Sequence, residues 1–285
     1  MSLGFVLEGG GMRGIYTSGV LDEFMLNGIK VDGLAGVSAG IIHGLSYVSE
    51  QYARNIRYFV KYRSDKRFMS FKSMFNTGDL CETEFCYHEI PESLAPLDFE
   101  KFKENTAKGF KVYSVATNLE TGKAEYLEIK DVFSQMDAVR ASASLPLVSQ
   151  IVEYNGMKLL DGGSSDSIPL KAMQNLGFEK NIVILTRPAG YIKKPDKSMP
   201  LMRRMYKDYP EYLKCCEGRY KEYNKELLYV DKAEMDGKAF VIRPSRYIKI
   251  SRSEKDIEKI KRMYKLGRFD AQRALAGVKE FINGD

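Results

Sequence analysis

The sequence predicts an α/β protein, with a central, mostly parallel sheet flanked by helices on both faces, in one domain whose C-terminal part is helical. Three observations carry this. Two apolar runs, Leu3–Leu7 and Val31–Val37, each pass through a glycine-containing turn into a segment of helical period. Such strand–turn–helix units build parallel sheets, because parallel neighbours need a crossover connection. Strand-like and helix-like segments then keep alternating as far as Ile242. No Pro/Ser-rich linker, low-complexity tract or internal repeat divides the 285 residues, so one domain is expected.

The elements follow in order. After Leu3–Leu7, a helix carries Tyr16, Val20 and Phe24 on one stripe with Leu21 and Met25 beside it, and it stops near Asn27-Gly28. The second apolar run leads to a helix over Ile41 to Glu50. Ile56, Phe59, Val60 and Tyr62 suggest another. The stretch from Phe68 to Phe85 is aromatic and irregular, and reads equally as a cap over a site or as peripheral packing. Lys111 to Thr117 alternates like a strand, with a hairpin loop at Asn118–Lys123 and a return strand over Ala124 to Ile129. Val132 to Ser144 reads as a helix ending before Pro146 in the small residues Ala141-Ser142-Ala143-Ser144. Lys158–Leu160 is a short strand that delivers Asp161, and Ile168 to Leu176 is a helix that tolerates Pro169 in its first turn. Ile182–Leu185 and Ala239–Ile242 are further strands, with two helices expected between them. The last helix runs from about Glu254 to Ile282, and Ser251 with Glu254, or Ser253 with Asp256, would supply its capping box.

Composition narrows the function classes. No apolar run approaches the ~18 residues that a membrane span needs, and the N-terminus lacks the basic and apolar regions of a signal peptide. Cys81, Cys86, Cys215 and Cys216 fit neither a disulfide framework nor a zinc spacing. A reducing, cytoplasmic setting is expected, peripheral to the membrane if any membrane is met. The formal charge of +6 is concentrated between Tyr191 and Lys225, where ten Lys/Arg face five Asp/Glu. Such a patch suits anionic lipid or nucleic acid, or is simply a solvated helical face.

The chemistry is organised around Gly36-Val37-Ser38-Ala39-Gly40. G-x-S-x-G between strand and helix marks a nucleophile elbow, in which a serine on a strained turn projects above the sheet. Side chains at Gly36 or Gly40 would collide as strand and helix close on Ser38. The first turn, Gly9-Gly10-Gly11-Met12-Arg13-Gly14, admits two readings. It matches the dinucleotide fingerprint G-x-G-x-x-G literally, but that fingerprint wants an acid at the end of the second strand. Asp32 lies at that strand's start, and the end carries Gly36-Val37-Ser38. The other reading is an oxyanion hole, in which consecutive glycines leave backbone N–H groups open to an acyl group.

A serine nucleophile needs a base. The chain has two histidines, His43 and His88, and none follows them in the last 197 residues. His43 lies ~140° round the helix from Ser38, and His88 falls in the irregular stretch. Carboxylates remain. Asp161 ends a strand and is followed by Gly162 and Gly163, which let backbone crowd a site. A direct Ser–Asp pair works when desolvation raises the carboxylate's proton affinity. Asp166 is a second candidate, placed beyond the turn.

With these residues in order, the chain resembles the patatin-like phospholipases. That family carries a G-G-G-x-R/K-G loop, a G-x-S-x-G elbow and a D-G-A/G motif, here Gly9–Gly14, Gly36–Gly40 and Asp161–Gly163. The resemblance implies a fold related to the α/β-hydrolases, a Ser38–Asp161 dyad, hydrolysis of lipid acyl esters, and neither metal nor cofactor. It also implies that the Gly9–Gly11 loop binds the oxyanion, with Arg13 either shaping that loop or holding an anionic head group. It covers a catalytic core over residues 3–186. Residues 187–285 form a helical, basic extension expected to pack on the same domain. A lipid ester is the expected partner, with peripheral contact to an anionic membrane and no nucleic acid. The rivals are an esterase or thioesterase that never meets a bilayer, a nucleotide-binding module, and a catalytically silent lipid-binding protein.

Overall fold

A computed structural model describes residues 2–284. Five strands run parallel: β1 (Leu3–Leu7), β2 (Gly33–Val37), β3 (Lys111–Asn118), β7 (Lys180–Ile184) and β8 (Ala239–Ile242). They stand in the order β3-β2-β1-β7-β8. Three antiparallel strands complete the β3 end: β4 (Ala124–Glu128), β5 (Val152–Tyr154) and β6 (Met157–Asp161). The expected α/β architecture is therefore present, with mixed pairing confined to one side.

Side chains alternate across this sheet with the period of two. Phe5, Leu7, Leu34, Ile182 and Ile184 join the core on one face. Val6, Ala35, Val37, Val183 and Leu185 join the core on the other. The first face is covered by α1 (Ile15–Leu26), α2 (Ala39–Val48) and α10 (Ile257–Asn283). Beyond them lie α3 (Arg54–Tyr62), α4 (Phe71–Thr77) and α5 (Phe99–Ala107). The second face is covered by α7 (Leu170–Asn175) and the long α9 (Pro210–Met235), through Leu170, Met173, Tyr223 and Val230. α6 (Met136–Ala143) and α8 (Met199–Met205) flank the antiparallel strands.

Several boundaries differ from the sequence expectation for local reasons. α6 starts at Met136 rather than Val132, because Asp131 and Gln135 side chains take up the backbone N–H groups of Phe133, Lys130 and Asp131 in a turn. α10 is capped by neither Ser251 nor Ser253. Asp256 accepts from the N–H groups of Glu258 at 2.9 Å and Lys259 at 3.2 Å. The aromatic stretch contains α4 and leads into a wide helical segment, Phe85–Leu94. Phe68, Met69, Leu80 and Phe85 are buried in the main core, whereas Phe71 and Phe75 on α4 are 67% and 90% exposed, so only part of this stretch is packing. No helix is expected from the sequence at α4 (7 residues) or α5 (9 residues), whose N-termini are capped by the side chains of Ser70 and Asp98.

The single apolar stripe read on α1 understates its burial. Every residue from Ile15 to Phe24 is buried, because α10 crosses α1 in near contact. A Cβ at Gly19 would lie 2.2 Å from the Tyr264 carbonyl oxygen, and one at Gly267 would lie 2.1 Å from that of Tyr16. Polar pairs stitch the same crossing: Tyr16 OH donates to Asp270 at 3.0 Å, Tyr264 OH to Asp22 at 2.8 Å, and Arg268 pairs with Glu23 at 2.7 Å. The last helix is thus part of the main core. Since backbone cannot yield cheaply, Gly267→Ala is expected to lower stability by about 1–3 kcal/mol, as overpacking does. Urea unfolding measures it, and an unchanged midpoint would mean the crossing is not tight.

Candidate active site

Ser38 stands between β2 and α2 with φ 55° and ψ −123°. A left-handed φ on a residue with a Cβ costs on the order of 1–3 kcal/mol and persists only where its surroundings enforce it. Here they do. A Cβ at Gly36 would sit 2.5 Å from Ile41 N, and one at Gly40 would sit 2.3 Å from the Leu7 carbonyl. Strand and helix therefore close on each other to a distance only glycine permits. The Ser38 N–H donates to Ser142 Oγ at 2.8 Å.

Strand register brings Asp161 to this point. Val37 pairs with Val115 of β3, and Asp161 pairs with the next residue, Ala116. Ala116 and Thr117 spend their other edge on β4, as does Val115. β2 and β6 must therefore share one edge of β3, running from opposite directions and stopping end to end. Ser38 leaves one strand where Asp161 ends the other. The chain escapes this collision through Gly162, where a Cβ would meet the Val115 carbonyl at 2.1 Å.

Asp161 is buried, and its backbone N–H donates to Ser144 O at 2.8 Å. Oδ1 accepts from Gly163 N–H at 2.7 Å. A Cβ on Gly163 would lie 2.9 Å from that oxygen and 3.1 Å from Arg219 Nη2, displacing both. Burial raises the proton affinity of the carboxyl above the usual carboxylate range, against the opposing pull of Ser38 and Arg219. The Ser38 hydroxyl is close enough to favour the charged form, but buried Oδ2 accepts no well-aligned hydrogen bond. Such bonds are often loose before a substrate binds.

The first turn faces the same cavity with Gly9, Gly10, Gly11 and Arg13. A Cβ on Gly9 would lie 3.1 Å from Ser38 Cβ. Among the described residues, the N–H groups of Gly9, Gly10 and Gly11 donate to no acceptor. The remaining two members of the motif point elsewhere. Met12 is buried in the core and its N–H donates to Arg252 O at 2.9 Å. Gly14 makes room for α2, since a Cβ there would lie 2.6 Å from Ala39 Cβ. Asp32 accepts the Leu3 N–H at 2.7 Å, at the far ends of the strands, so it is unavailable to a dinucleotide in this turn.

Neither histidine lines the cavity. His43 is fully buried beside Phe59, and burial lowers its pKa to about 3. His88 is partly exposed and contacts Glu92 at 3.1 Å. Asp166 accepts from Tyr126 OH at 2.7 Å in a different groove. Among the described residues, no cluster of His, Cys, Asp and Glu could hold a metal, and no helix is long and apolar enough to cross a membrane.

Sequence reasoning missed part of the site. Glu8 lines it, with its carboxylate held by Tyr223 OH at 2.6 Å and by Thr186 N–H at 2.5 Å. Four cations from beyond residue 186 also line it: Arg187, Lys193, Arg219 and Arg252. Two of them, Lys193 and Arg219, belong to the basic stretch whose charge suggested an outer surface. Ser142 lay in the small-residue run, but nothing in that run marked its partner.

The chain is 27% identical to the uncharacterized protein YjjU of Escherichia coli K12, over 98% of this chain and 79% of YjjU. It is 31% identical to lysophospholipase nte1 of Aspergillus niger over 62% of this chain, and spans only 11% of that relative. Among solved structures, VipD from Legionella pneumophila aligns with a TM-score of 0.47 at 12% identity, over 97% of this chain and 66% of VipD. Residues 209–283 match the model of a domain of unknown function, DUF6363. Residues 5–173, more than half of the chain, match the model of the patatin-like phospholipases, and the chain belongs to that family.

Proposed function

We propose that this protein is a lipid acyl-ester hydrolase of the phospholipase or lysophospholipase type, working through a Ser38–Asp161 dyad. The observation that carries the reading is the end-to-end meeting of β2 and β6, which sets a strained serine beside a desolvated carboxylate. Ser38 Oγ attacks the ester carbonyl while Asp161 accepts its proton. The carbonyl oxygen becomes an anion, and the unbonded N–H groups of Gly9, Gly10 and Gly11 supply donors for it. Asp161 returns the proton to the departing alcohol, leaving an acyl-Ser38 ester. It then takes a proton from water as that water attacks the acyl carbon, and gives that proton to Ser38 Oγ as the Oγ–acyl bond breaks, releasing the acid and regenerating the dyad. Residues 3–186 would carry this chemistry, with residues 187–285 completing the cavity.

A second element of the proposal concerns the membrane. Within the basic stretch, Arg203, Lys214 and Lys225 pair with Glu217, Glu211 and Glu222, while Lys193 and Arg219 face the cavity. What remains outward includes α8, where Leu201 is 52% and Met205 54% exposed, beside Arg204 and Lys207. Such a face suits the surface of an anionic bilayer, each basic residue contributing about 1 kcal/mol.

The dyad and the membrane contact are tested separately. A fluorophosphonate probe should label Ser38, and Ser38→Ala should lose labelling and ester hydrolysis by several orders of magnitude. Asp161→Asn should act mainly on kcat, whereas His43→Leu with His88→Ala should cost little. A double histidine variant that is folded yet as inactive as Ser38→Ala would sink the dyad. Because only the ionised base accepts a proton, kcat/KM should fall with decreasing pH through an Asp161 titration above the ordinary ~4 of an aspartate. For the membrane contact, sedimentation with anionic vesicles should drop sharply from low to moderate salt. Equal binding to neutral vesicles would refute it.

A further inference from the structure

Five cationic side chains surround the cavity that holds Ser38: Arg13, Arg187, Lys193, Arg219 and Arg252. Only two carboxylates line it, Glu8 and Asp161, and Glu8 is already held by Tyr223 and Thr186. Among the described residues, none of the five cations forms an ion pair or donates a side-chain hydrogen bond. Nε of Arg13 and Nε of Arg219 are buried without a partner. Lys193 and Arg187 lie over the rings of Tyr223 and Tyr191, at 4.2 and 4.3 Å. Arg252 is exposed overall, but it lines the cavity, and its charge acts on Arg219 and Asp161 there.

Such an arrangement is costly without an anion. Burial, then repulsion from its cationic neighbours, lowers Lys193 to about 7 and Arg13 to about 10, and the same causes lower Arg252. Unpaired charge removed from water is tolerated where a ligand completes the site. A carboxylate would be met by one bidentate arginine. Several separate forks converging on one cavity match a group with more charge and more acceptor oxygens. A phosphomonoester carries about −1.5 to −2 at neutral pH and three acceptor oxygens.

We propose that these side chains form a phosphomonoester subsite within the catalytic cavity, so that the preferred substrate is an acyl ester of an alcohol bearing a free phosphate. Four of the five cations come from beyond residue 186, and Arg219 and Arg252 lie in the segment matched to a domain of unknown function. That segment then has a role: it supplies head-group recognition to a core that supplies the nucleophile. Selection also works by exclusion, because a choline head group would press its ammonium against like charges. This inference rests on the hydrolase reading, and its test separates the two.

Binding is measured without chemistry by titrating inorganic phosphate into wild type, Ser38→Ala and the double variant Arg219→Gln/Arg252→Gln by calorimetry, with circular dichroism to check folding. Wild type and Ser38→Ala should bind alike, and the double variant should bind at least about tenfold more weakly, the worth of one charge-assisted hydrogen bond. Arg219→Lys/Arg252→Lys should recover part of the loss. Kinetics then compare oleoylglycerol phosphate, its choline phosphodiester and uncharged monooleoylglycerol. The phosphomonoester should have the highest kcat/KM, and its ratio over monooleoylglycerol should fall by a similar factor in the glutamine variant. No phosphate binding by wild type, or equal binding by the folded glutamine variant, overturns the subsite. Phosphate binding with no preference among the esters overturns the substrate assignment and leaves a site for free phosphate. Phosphate binding that needs both arginines, with no ester hydrolysed and no probe on Ser38, sinks the hydrolase reading instead.

Discussion

The edge of β3 has room for one partner at a time, and two strands claim it from opposite directions. β2 pairs as far as Val37 and β6 as far as Asp161, on consecutive residues of β3. Neither can continue. The chain must leave the sheet at both stops, and Ser38 does so with a left-handed φ while Gly162 slides across the Val115 carbonyl. The proximity of a hydroxyl and a carboxylate is thus a consequence of backbone pairing, held by a ladder of hydrogen bonds rather than by the side chains themselves. That is the rigid support the proposed dyad would require.

Glycine makes the crowding possible. Gly9, Gly36, Gly40, Gly162 and Gly163 stand where a Cβ would come within about 3 Å of Ser38, of the Asp161 carboxylate or of neighbouring backbone. The end of α6 serves both partners, with Ser142 receiving the Ser38 N–H and Ser144 the Asp161 N–H. Strain at Ser38 and desolvation of Asp161 both cost stability, and the extensively packed sheet and the α1–α10 crossing offset that cost.

The C-terminal third contributes to both faces of this sheet. α10 locks onto α1 on one face, and α9 lays Tyr223 and Val230 against the other while turning Arg219 toward the cavity. A single long helix therefore joins core packing to site electrostatics. The charge balance of the basic stretch, read as a sum, concealed this division: part is neutralised by neighbouring glutamates, part faces outward, and part is enclosed.

The amino-acid sequence by itself determined the α/β class, the strand-turn-helix units, and the three motifs at Gly9, Gly36 and Asp161. These are local signals, because a period of two or 3.6 and a glycine that admits close approach are written within a few residues. The absence of any histidine after His88 also pointed to Asp161 as the candidate base that the proposed dyad uses. Tertiary structure alone decided that β2 (Gly33–Val37) and β6 (Met157–Asp161) share one edge of β3, since two strands so far apart in the chain and not paired with each other leave no local trace of it. It alone showed that Met12 spends its N–H on Arg252, and that α4 and α5 are helices. It alone assigned Arg187, Lys193, Arg219 and Arg252 to the cavity. A cation's sequence neighbours say how much charge is present, but the helix it rides and the strand that helix covers decide where that charge points.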